Sequence, residues 1–213
     1  MEPGKKGRLL DQFERFLLTV LYVWLVYRVI NAIDRADFTK VFVVQLPALL
    51  SEGLLLVFIW IRRSPTEITN SGLSWLIAFG ATSVPFLLRP NPAGSWLPSA
   101  VPFVTPVYFA IFFLQLYSKL SLGRSFGVVP ANRGVQSAGP YRWVRHPIYA
   151  AYLLHQLIFF FLIHLSWFNT GLFVVANVLQ LYRLLLEEKL LSNDPEYVSY
   201  RQKVKYRLLP GVF

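Results

Sequence analysis

The feature that most constrains this fold is a series of apolar blocks that are long enough, or nearly so, to cross a lipid bilayer. A transmembrane helix needs about 20 mainly apolar residues, and 55% of this 213-residue chain is hydrophobic. Backbone in lipid must satisfy its own hydrogen bonds, which favours helices. We therefore predict an all-α, polytopic membrane bundle that forms a single domain over residues 1–213.

Six apolar segments can be drawn, at residues 13–33, 41–61, 73–88, 101–120, 147–165 and 167–186. The third and fourth are short or interrupted by proline, so five spans are the alternative to six. The opening MEPGKKGRLLDQFERF is polar for too long to be a cleavable signal peptide. The first segment is therefore expected to stay in the protein as a transmembrane helix.

The distribution of basic residues predicts the orientation of these spans. With six spans, 17 of the 21 lysines and arginines lie on one side of the membrane and four on the other. Cytoplasmic loops carry such an excess, so both termini are predicted to be cytoplasmic. The basic residues that give the net charge of +10 are therefore interpreted as setting the orientation of the spans and attracting anionic membrane lipids. No nucleic-acid partner is predicted.

Two polar pieces are expected on the cytoplasmic side. The first is a connector at residues 119–146, too long and glycine-rich for a tight turn. The second is the tail, where Asp194 can cap a helix that begins at Pro195. In that helix Tyr197, Tyr200, Val204 and Leu208 share one face. This pattern predicts an amphipathic helix that lies along the membrane surface.

Charged residues near the end of the last apolar segment are candidates for chemistry. Arg183 and Glu187 are four residues apart and so share a helical face, and Glu188 follows directly. Such groups are costly in lipid, which favours a position facing the protein interior or water. The structural alternative is an ion pair within the helix, at the membrane interface, with its side chains reaching towards water.

A second cluster of polar residues is GPYRWVRHPIY, at residues 139–149. Pro147 suits the first turn of a helix, and Arg145 and His146 stand immediately before it. A helix N-terminus beside cations predicts an anion site for a carboxylate or a phosphate. The alternative is a basic interfacial anchor followed by a proline, which leaves His146 and Tyr149 unexplained.

Other chemistries find little support. The chain has no cysteine, which excludes disulfides, thiolate metal sites and a cysteine nucleophile. Its three histidines, His146, His155 and His164, are nine residues apart. Nine helical residues make two and a half turns, so His155 and His164 face opposite sides of one helix and cannot share a metal ion. No metal site is predicted.

The motifs together resemble the isoprenylcysteine carboxyl methyltransferase family, with a more general similarity to the membrane phospholipid methyltransferases. The resemblance covers residue 118 to the C-terminus. It is carried, in order, by Gly139-Pro-Tyr141, Arg145-His-Pro-x-Tyr149, Arg183-x-x-x-Glu187-Glu188 and Asp194-Pro-Glu-Tyr197. One departure is Ala150-Ala151, where family members often have a glycine soon after the second motif.

The resemblance implies methyl transfer that depends on S-adenosyl-L-methionine. It implies that the cofactor is held at the cytoplasmic face by residues 119–213, and we expect residues 1–118 to form part of the groove for the acceptor. Arg183 and Glu187 are the expected catalytic residues. The implied cofactor-binding residues are Tyr141, Arg145, His146, Pro147, Tyr149, Glu187 and Glu188.

The methyl acceptor is expected to be a lipophilic or lipid-linked small molecule, most like the carboxylate of an isoprenylated cysteine. A phospholipid amine or a thiol is the alternative acceptor. Two further alternatives are a sterol-reductase-like enzyme that uses NADPH and a non-enzymatic membrane protein with a degenerate site. The sequence leaves the oligomeric state open.

Overall fold

The computed structural model of the protein describes residues 3–33, 46–89, 101–163 and 166–212. These residues are mainly helical, which confirms the all-α prediction. Three short 3₁₀ turns, Val84–Leu87, Gly123–Ser125 and Gly139–Arg142, and two short strands, β1 (Glu67–Ile68) and β2 (Ala131–Asn132), link or extend the helices. The helices are α1 (Pro3–Ile33), α2 (Leu46–Ile61), α3 (Gly72–Ser83), α4 (Val101–Leu122), α5 (Pro147–Ile163), α6 (Trp167–Leu191) and α7 (Pro195–Lys203).

The helix bounds follow the predicted segments with local differences. Residues 41–45, His164 and Leu165, which belong to predicted segments, lie outside the described residues. Helix α4 ends where Gly123 adopts a φ of 49°, a left-handed conformation that glycine adopts readily. Helix α6 continues to Leu191 rather than ending near residue 186, so Glu187 and Glu188 are part of its regular helix.

The apolar exterior fits a protein of the membrane. Among the described residues, α6 is the one helix both long and apolar enough to cross a bilayer by itself, and the apolar stretches Leu49–Ile61 and Gly72–Leu87 are shorter. Large apolar side chains are exposed on other helices as well, including Phe103 and Leu76. The number of membrane crossings remains a prediction.

The N-terminus of α6 is fixed by local capping and by a distant contact. The Ser166 side chain accepts a hydrogen bond of 3.1 Å from the Asn169 amide, as expected of an N-cap serine. Asn169 is fully buried. Its side chain donates to the Arg89 carbonyl at 2.8 Å and accepts from the Arg89 amide at 3.1 Å. This exchange ties the start of α6 to the segment that follows α3.

Helix α3 packs along α6, and α4 packs along α5. The connector after α4 does not stay on the surface, because Phe126, Val128 and Val129 are buried in the main apolar core. Strand β2 follows them and pairs antiparallel with β1, with Glu67 opposite Asn132. The connector is thereby held against the first three helices as well as against α5. The core comprises Leu18, Leu55, Ile59, Ile68, Ala78, Phe126, Val128, Val129 and Ile148.

Helix α7 begins as predicted, since the Asp194 carboxylate accepts a 2.8 Å hydrogen bond from the Glu196 amide. The prediction for its apolar face is wrong, and the helix ends at Lys203, before Val204 and Leu208. Tyr197, Tyr200 and Val204 are buried against Tyr141 of the 3₁₀ turn instead of facing the membrane surface. The reason is that protein packing already removes this face from water, so no lipid is needed to cover it.

Candidate active site

A cavity opens where the connector, the start of α5, the end of α6 and α7 meet. It contains about 820 Å³ of empty space, some of it continuous with solvent. Its lining residues all lie between 122 and 200 in the chain. They include Ser125, Gly127, Arg133, Gln136, Tyr141, Arg145, His146, Tyr149, Tyr152, Arg183, Glu187, Tyr197 and Tyr200.

Arg183 brings a positive charge to this cavity. It is buried, and its guanidinium donates long hydrogen bonds to two neutral acceptors, at 3.4 Å to the Thr82 hydroxyl and at 3.2 Å to the Gly127 carbonyl. Its Nε atom is buried without a hydrogen-bond partner among the described residues. A buried cation without a carboxylate partner is costly. Arg183 is therefore ready to receive an anionic group.

Glu187 brings a negative charge to the cavity, and Tyr149 contacts both charged groups. The Tyr149 hydroxyl donates a 2.6 Å hydrogen bond to Glu187, while the Arg183 guanidinium lies 5.3 Å from the centre of the Tyr149 ring. Within the described part of the chain, Glu187 has no ion pair with Arg183 or with any other cation. The alternative of an Arg183–Glu187 ion pair is thus not what the structure contains.

Glu188, the next residue, is fully engaged by protein groups. Its carboxylate accepts hydrogen bonds of 2.7 Å from Arg145 Nε, 2.7 Å from Arg207 Nε and 3.2 Å from the Tyr197 hydroxyl. His146 Nε2 lies 3.2 Å from the same carboxylate. We call this group of five residues the Glu188 clasp. Glu188 itself is absent from the cavity lining, although the sequence predicts it as a cofactor ligand.

Arg145 lines the cavity but is not the open cation that the sequence predicts. Besides Glu188, it donates to the carbonyls of Val204 at 2.9 Å and Lys205 at 2.7 Å. The amides of Arg145 and His146 donate to the carbonyls of Tyr206 and Arg207. The segment after α7 therefore occupies the donors that stand immediately before α5. The predicted anion site at this helix start needs correction, because these donors are already used within the chain.

Three tyrosines, Tyr141, Tyr197 and Tyr200, line the cavity beside α7. Tyr200 donates a 2.7 Å hydrogen bond to the Tyr141 carbonyl, and Tyr197 belongs to the clasp. Burial raises the pKa of Tyr141 well above its usual value, and the nearby Glu187 carboxylate adds to this effect. Burial also raises the pKa of Tyr197 and Tyr200. All three hydroxyls therefore stay protonated at physiological pH and serve as donors rather than bases.

Of the eight predicted site residues, six line this cavity and two, Pro147 and Glu188, do not. Pro147 is buried at the first position of α5. Sequence reasoning missed Arg133 and Gly127, which line the cavity, and Thr82, which contacts Arg183. Nothing in the spacing of Arg133 separates it from the other basic residues of the connector. Thr82 lies in another predicted segment, about a hundred residues away in the chain.

Comparison with known proteins finds one family that matches the part of the chain carrying this site. A search of curated proteins found no match. Residues 107–193, less than half of the chain, match the isoprenylcysteine carboxyl methyltransferase (ICMT) family. The matched region contains all eight predicted site residues. The match confirms the resemblance for the motifs within residues 107–193, which are similar to methyltransferases of the isoprenylcysteine carboxyl methyltransferase type. The Asp194-Pro-Glu-Tyr197 motif lies beyond the matched region.

Proposed function

We propose that this protein transfers a methyl group from S-adenosyl-L-methionine to a lipophilic acceptor at the cytoplasmic face of a membrane. The reaction is most like the carboxyl O-methylation of an isoprenylated cysteine. The observation that carries the proposal is the presence in one cavity of two opposite charges, Arg183 and Glu187, which form no ion pair among the described residues and both contact Tyr149.

The side chains of the cavity fit the methyl donor. Its amino-acid portion carries both an ammonium and a carboxylate, and the cavity offers a carboxylate at Glu187 and several donors. S-adenosyl-L-methionine carries a methyl group on a positively charged sulfur. When an acceptor atom takes the methyl group, S-adenosylhomocysteine leaves as a neutral thioether. Glu187, held by Tyr149, is the group that we assign to the donor's ammonium, through a charge-assisted hydrogen bond.

Arg183 is the group that we assign to the acceptor. A carboxylate acceptor is already a nucleophile at neutral pH, so it needs orientation rather than a general base. The unsatisfied guanidinium Nε of Arg183 is a suitable donor for this purpose. An amine acceptor would first have to lose a proton, and Glu187 would then be the base. The absence of a carboxylate partner for Arg183 among the described residues favours the carboxylate acceptor.

The Glu188 clasp has an organising role in this proposal. By holding Arg145, His146 and Arg207 together, it keeps the chain after α7 fastened over the start of α5. Glu188 thus stabilises residues that line the cavity without itself contacting the donor. The buried tyrosines beside it keep bulk water from the reacting groups, which strengthens electrostatic contacts within the cavity.

The proposal also assigns a role to each half of the chain, with the donor site in residues 119–213 and the acceptor groove in residues 1–118. The cavity-lining residues all fall within residues 119–213, which supports a donor site in this half. The acceptor would then enter between helices of residues 1–118. A multi-pass topology with both termini in the cytoplasm accompanies this arrangement, and it is supported by the apolar helices and by the distribution of basic residues.

Binding and transfer assays test the proposal. We expect S-adenosylhomocysteine, but not NADPH, to raise the thermal midpoint of the purified protein. Stabilisation by NADPH alone would support the reductase alternative, and stabilisation by neither would support a non-enzymatic membrane protein.

A labelled methyl donor then identifies the acceptor, with N-acetyl-S-farnesylcysteine and a lipid extract of the host membrane supplied in parallel. A methyl ester releases labelled methanol in alkali, whereas a methylated amine or thiol keeps the label. Release of methanol from the farnesylated compound is the expected result. Retention of the label in the lipid fraction would contradict carboxyl methylation.

A further inference from the structure

A network of four buried ionic side chains joins the first helix to the cavity wall. Arg62 Nη2 lies 2.6 Å from Asp11 and 2.8 Å from Glu14. Arg133 Nη2 lies 2.9 Å from Asp11 and 3.0 Å from Glu14. Both acidic residues belong to α1, Arg62 directly follows α2, and Arg133 directly follows β2. The network therefore brings together three parts of the chain that are distant in sequence.

Glu14 differs from Asp11 in what its second oxygen contacts. Glu14 Oε1 accepts hydrogen bonds of 2.7 Å from the Val128 amide and 2.9 Å from the Val129 amide. These amides belong to residues 126–130, which we call the wall segment. Val128 and Val129 are buried, so without Glu14 their amides would lose a hydrogen-bond partner away from water, which is costly.

The wall segment in turn contacts the predicted catalytic arginine. The Gly127 carbonyl, one residue before the two amides, accepts the 3.2 Å hydrogen bond from Arg183. Gly127 also lines the cavity, and a Cβ atom at this position would collide with the Arg133 guanidinium. The wall segment is thus packed tightly between Arg133 on one side and Arg183 on the other.

These contacts form a short physical chain from the first helix to the acceptor site. Glu14 binds the Val128 and Val129 amides, the wall segment presents the Gly127 carbonyl, and that carbonyl holds the Arg183 guanidinium. A small displacement of a catalytic group reduces the rate strongly. Glu14 lies outside residues 107–193, the part of the chain that matches the methyltransferase family.

We propose that Glu14 is a positioning residue for methyl transfer, because it fixes the wall segment that orients Arg183 towards the acceptor. The inference rests on the proposed function. It assigns to α1 a role in turnover, in addition to the acceptor groove expected in that half of the chain. Among the described residues, Glu187 shares no hydrogen bond or ion pair with Glu14, the wall segment or Arg183, so donor affinity should depend much less on Glu14 than turnover does.

Asp11 offers a matched control. Glu14→Gln and Asp11→Asn each remove one negative charge, keep the side-chain shape and weaken pairing with the same two arginines. Of the two residues, Glu14 contacts the wall segment, whereas Asp11 contacts arginine side chains. In Glu14→Gln the new side-chain amide cannot present acceptors to both the wall amides and the arginines, because one end of it is a donor.

The experiment compares three measurements on both variants of the full chain. We expect Glu14→Gln to lower kcat for N-acetyl-S-farnesylcysteine at least tenfold, with less than a threefold change in the Kd for S-adenosylhomocysteine. Amide hydrogen exchange of peptides covering residues 126–130 should become at least tenfold faster. Asp11→Asn should lower the thermal midpoint by a similar amount but change kcat and the exchange rate less than threefold.

The outcomes separate this inference from the proposed function. If both variants lose turnover in proportion to their thermal midpoints, Glu14 is merely structural and the inference is overturned. An unaltered protein that transfers no methyl group overturns both. Should Glu14→Gln fail to fold, Glu14→Asp replaces it with the same expectation, because it keeps the charge but is one methylene too short to reach all four partners.

Discussion

Two adjacent glutamates on α6 have opposite surroundings, although no other residue separates them in sequence. Glu187 lines the cavity and, within the described part of the chain, accepts one hydrogen bond, from Tyr149. Glu188 faces away and accepts bonds from Arg145, Arg207 and Tyr197. Successive helical residues point about 100° apart, which is enough to direct one carboxylate to the cavity and the other to protein groups. We therefore propose that Glu187 serves binding and that Glu188 serves stability.

The largest effect is expected on protein stability, when Glu188, the glutamate that contacts protein groups, is replaced. Glu188→Ala leaves Arg145 buried without its carboxylate partner, which costs about 3–5 kcal/mol of folding free energy. We expect the thermal midpoint to fall by about 10 °C, as measured by thermal unfolding in detergent. Lys189→Ala, an exposed neighbour on the same helix, is the control and should change the midpoint little. Equal midpoints for the two variants would show that the clasp is not needed for folding.

Replacing Arg183, which has no carboxylate partner among the described residues, tests the proposed binding of the acceptor. For Arg183→Ala we expect kcat to fall about a hundredfold, or about 2.7 kcal/mol, because the acceptor loses the group that orients it. The Kd for S-adenosylhomocysteine, measured by calorimetry, should change less than threefold. Equal losses of kcat and of affinity for S-adenosylhomocysteine would indicate that Arg183 binds the donor rather than the acceptor. Arg183→Lys, which keeps the charge, should recover part of the turnover.

Removing the unpaired anion should act on donor affinity instead. Glu187→Gln is expected to weaken S-adenosylhomocysteine binding about tenfold, or about 1.4 kcal/mol, since the donor's ammonium loses its carboxylate. The thermal midpoint of the unliganded protein should stay within about 2 °C of the original value. Glu196→Gln, on the exposed side of α7, provides the charge-matched control. An unchanged affinity in Glu187→Gln would remove this residue from the donor site.

The smallest effect concerns the tyrosine between the two charges. Tyr149→Phe keeps the ring beside Arg183 but removes the hydroxyl bond to Glu187, which contributes about 1 kcal/mol. Donor affinity should weaken about threefold to fivefold while the acceptor KM is unchanged. Tyr182→Phe, an exposed residue next to Arg183, should have no effect. A larger loss in acceptor KM than in donor affinity would mean that Tyr149 serves Arg183 rather than Glu187.

The sequence anticipated the parts of this site that depend on local rules. Capping by Asp194, the helix start at Pro147 and the shared face of Arg183 and Glu187 all depend on contacts or spacing within about one helical turn. The confirmed family resemblance depends on motif order along the chain, which is also a property of the sequence. Six of the eight predicted site residues accordingly line one cavity.

The same rules failed where a side chain had several possible partners. Arg145 was predicted as an open cation, but tertiary packing gives it Glu188 and the carbonyls after α7. The tyrosine face of α7 was expected to lie on lipid and instead packs on Tyr141. In both cases the pattern states correctly that a group needs a partner. The pattern does not state which of the available groups will lie close enough to be that partner.

What the sequence by itself determined is the set of helices, their caps and the relative directions of residues on each helix, because these follow from backbone geometry over a few residues. Tertiary structure alone decided which of Glu187 and Glu188 meets the cavity and which residues hold Arg183. It also joined Glu14 to amides 114 and 115 positions further along the chain. The reason is physical: helical periodicity sets the angle between two side chains, whereas the direction of the whole helix depends on what packs against it.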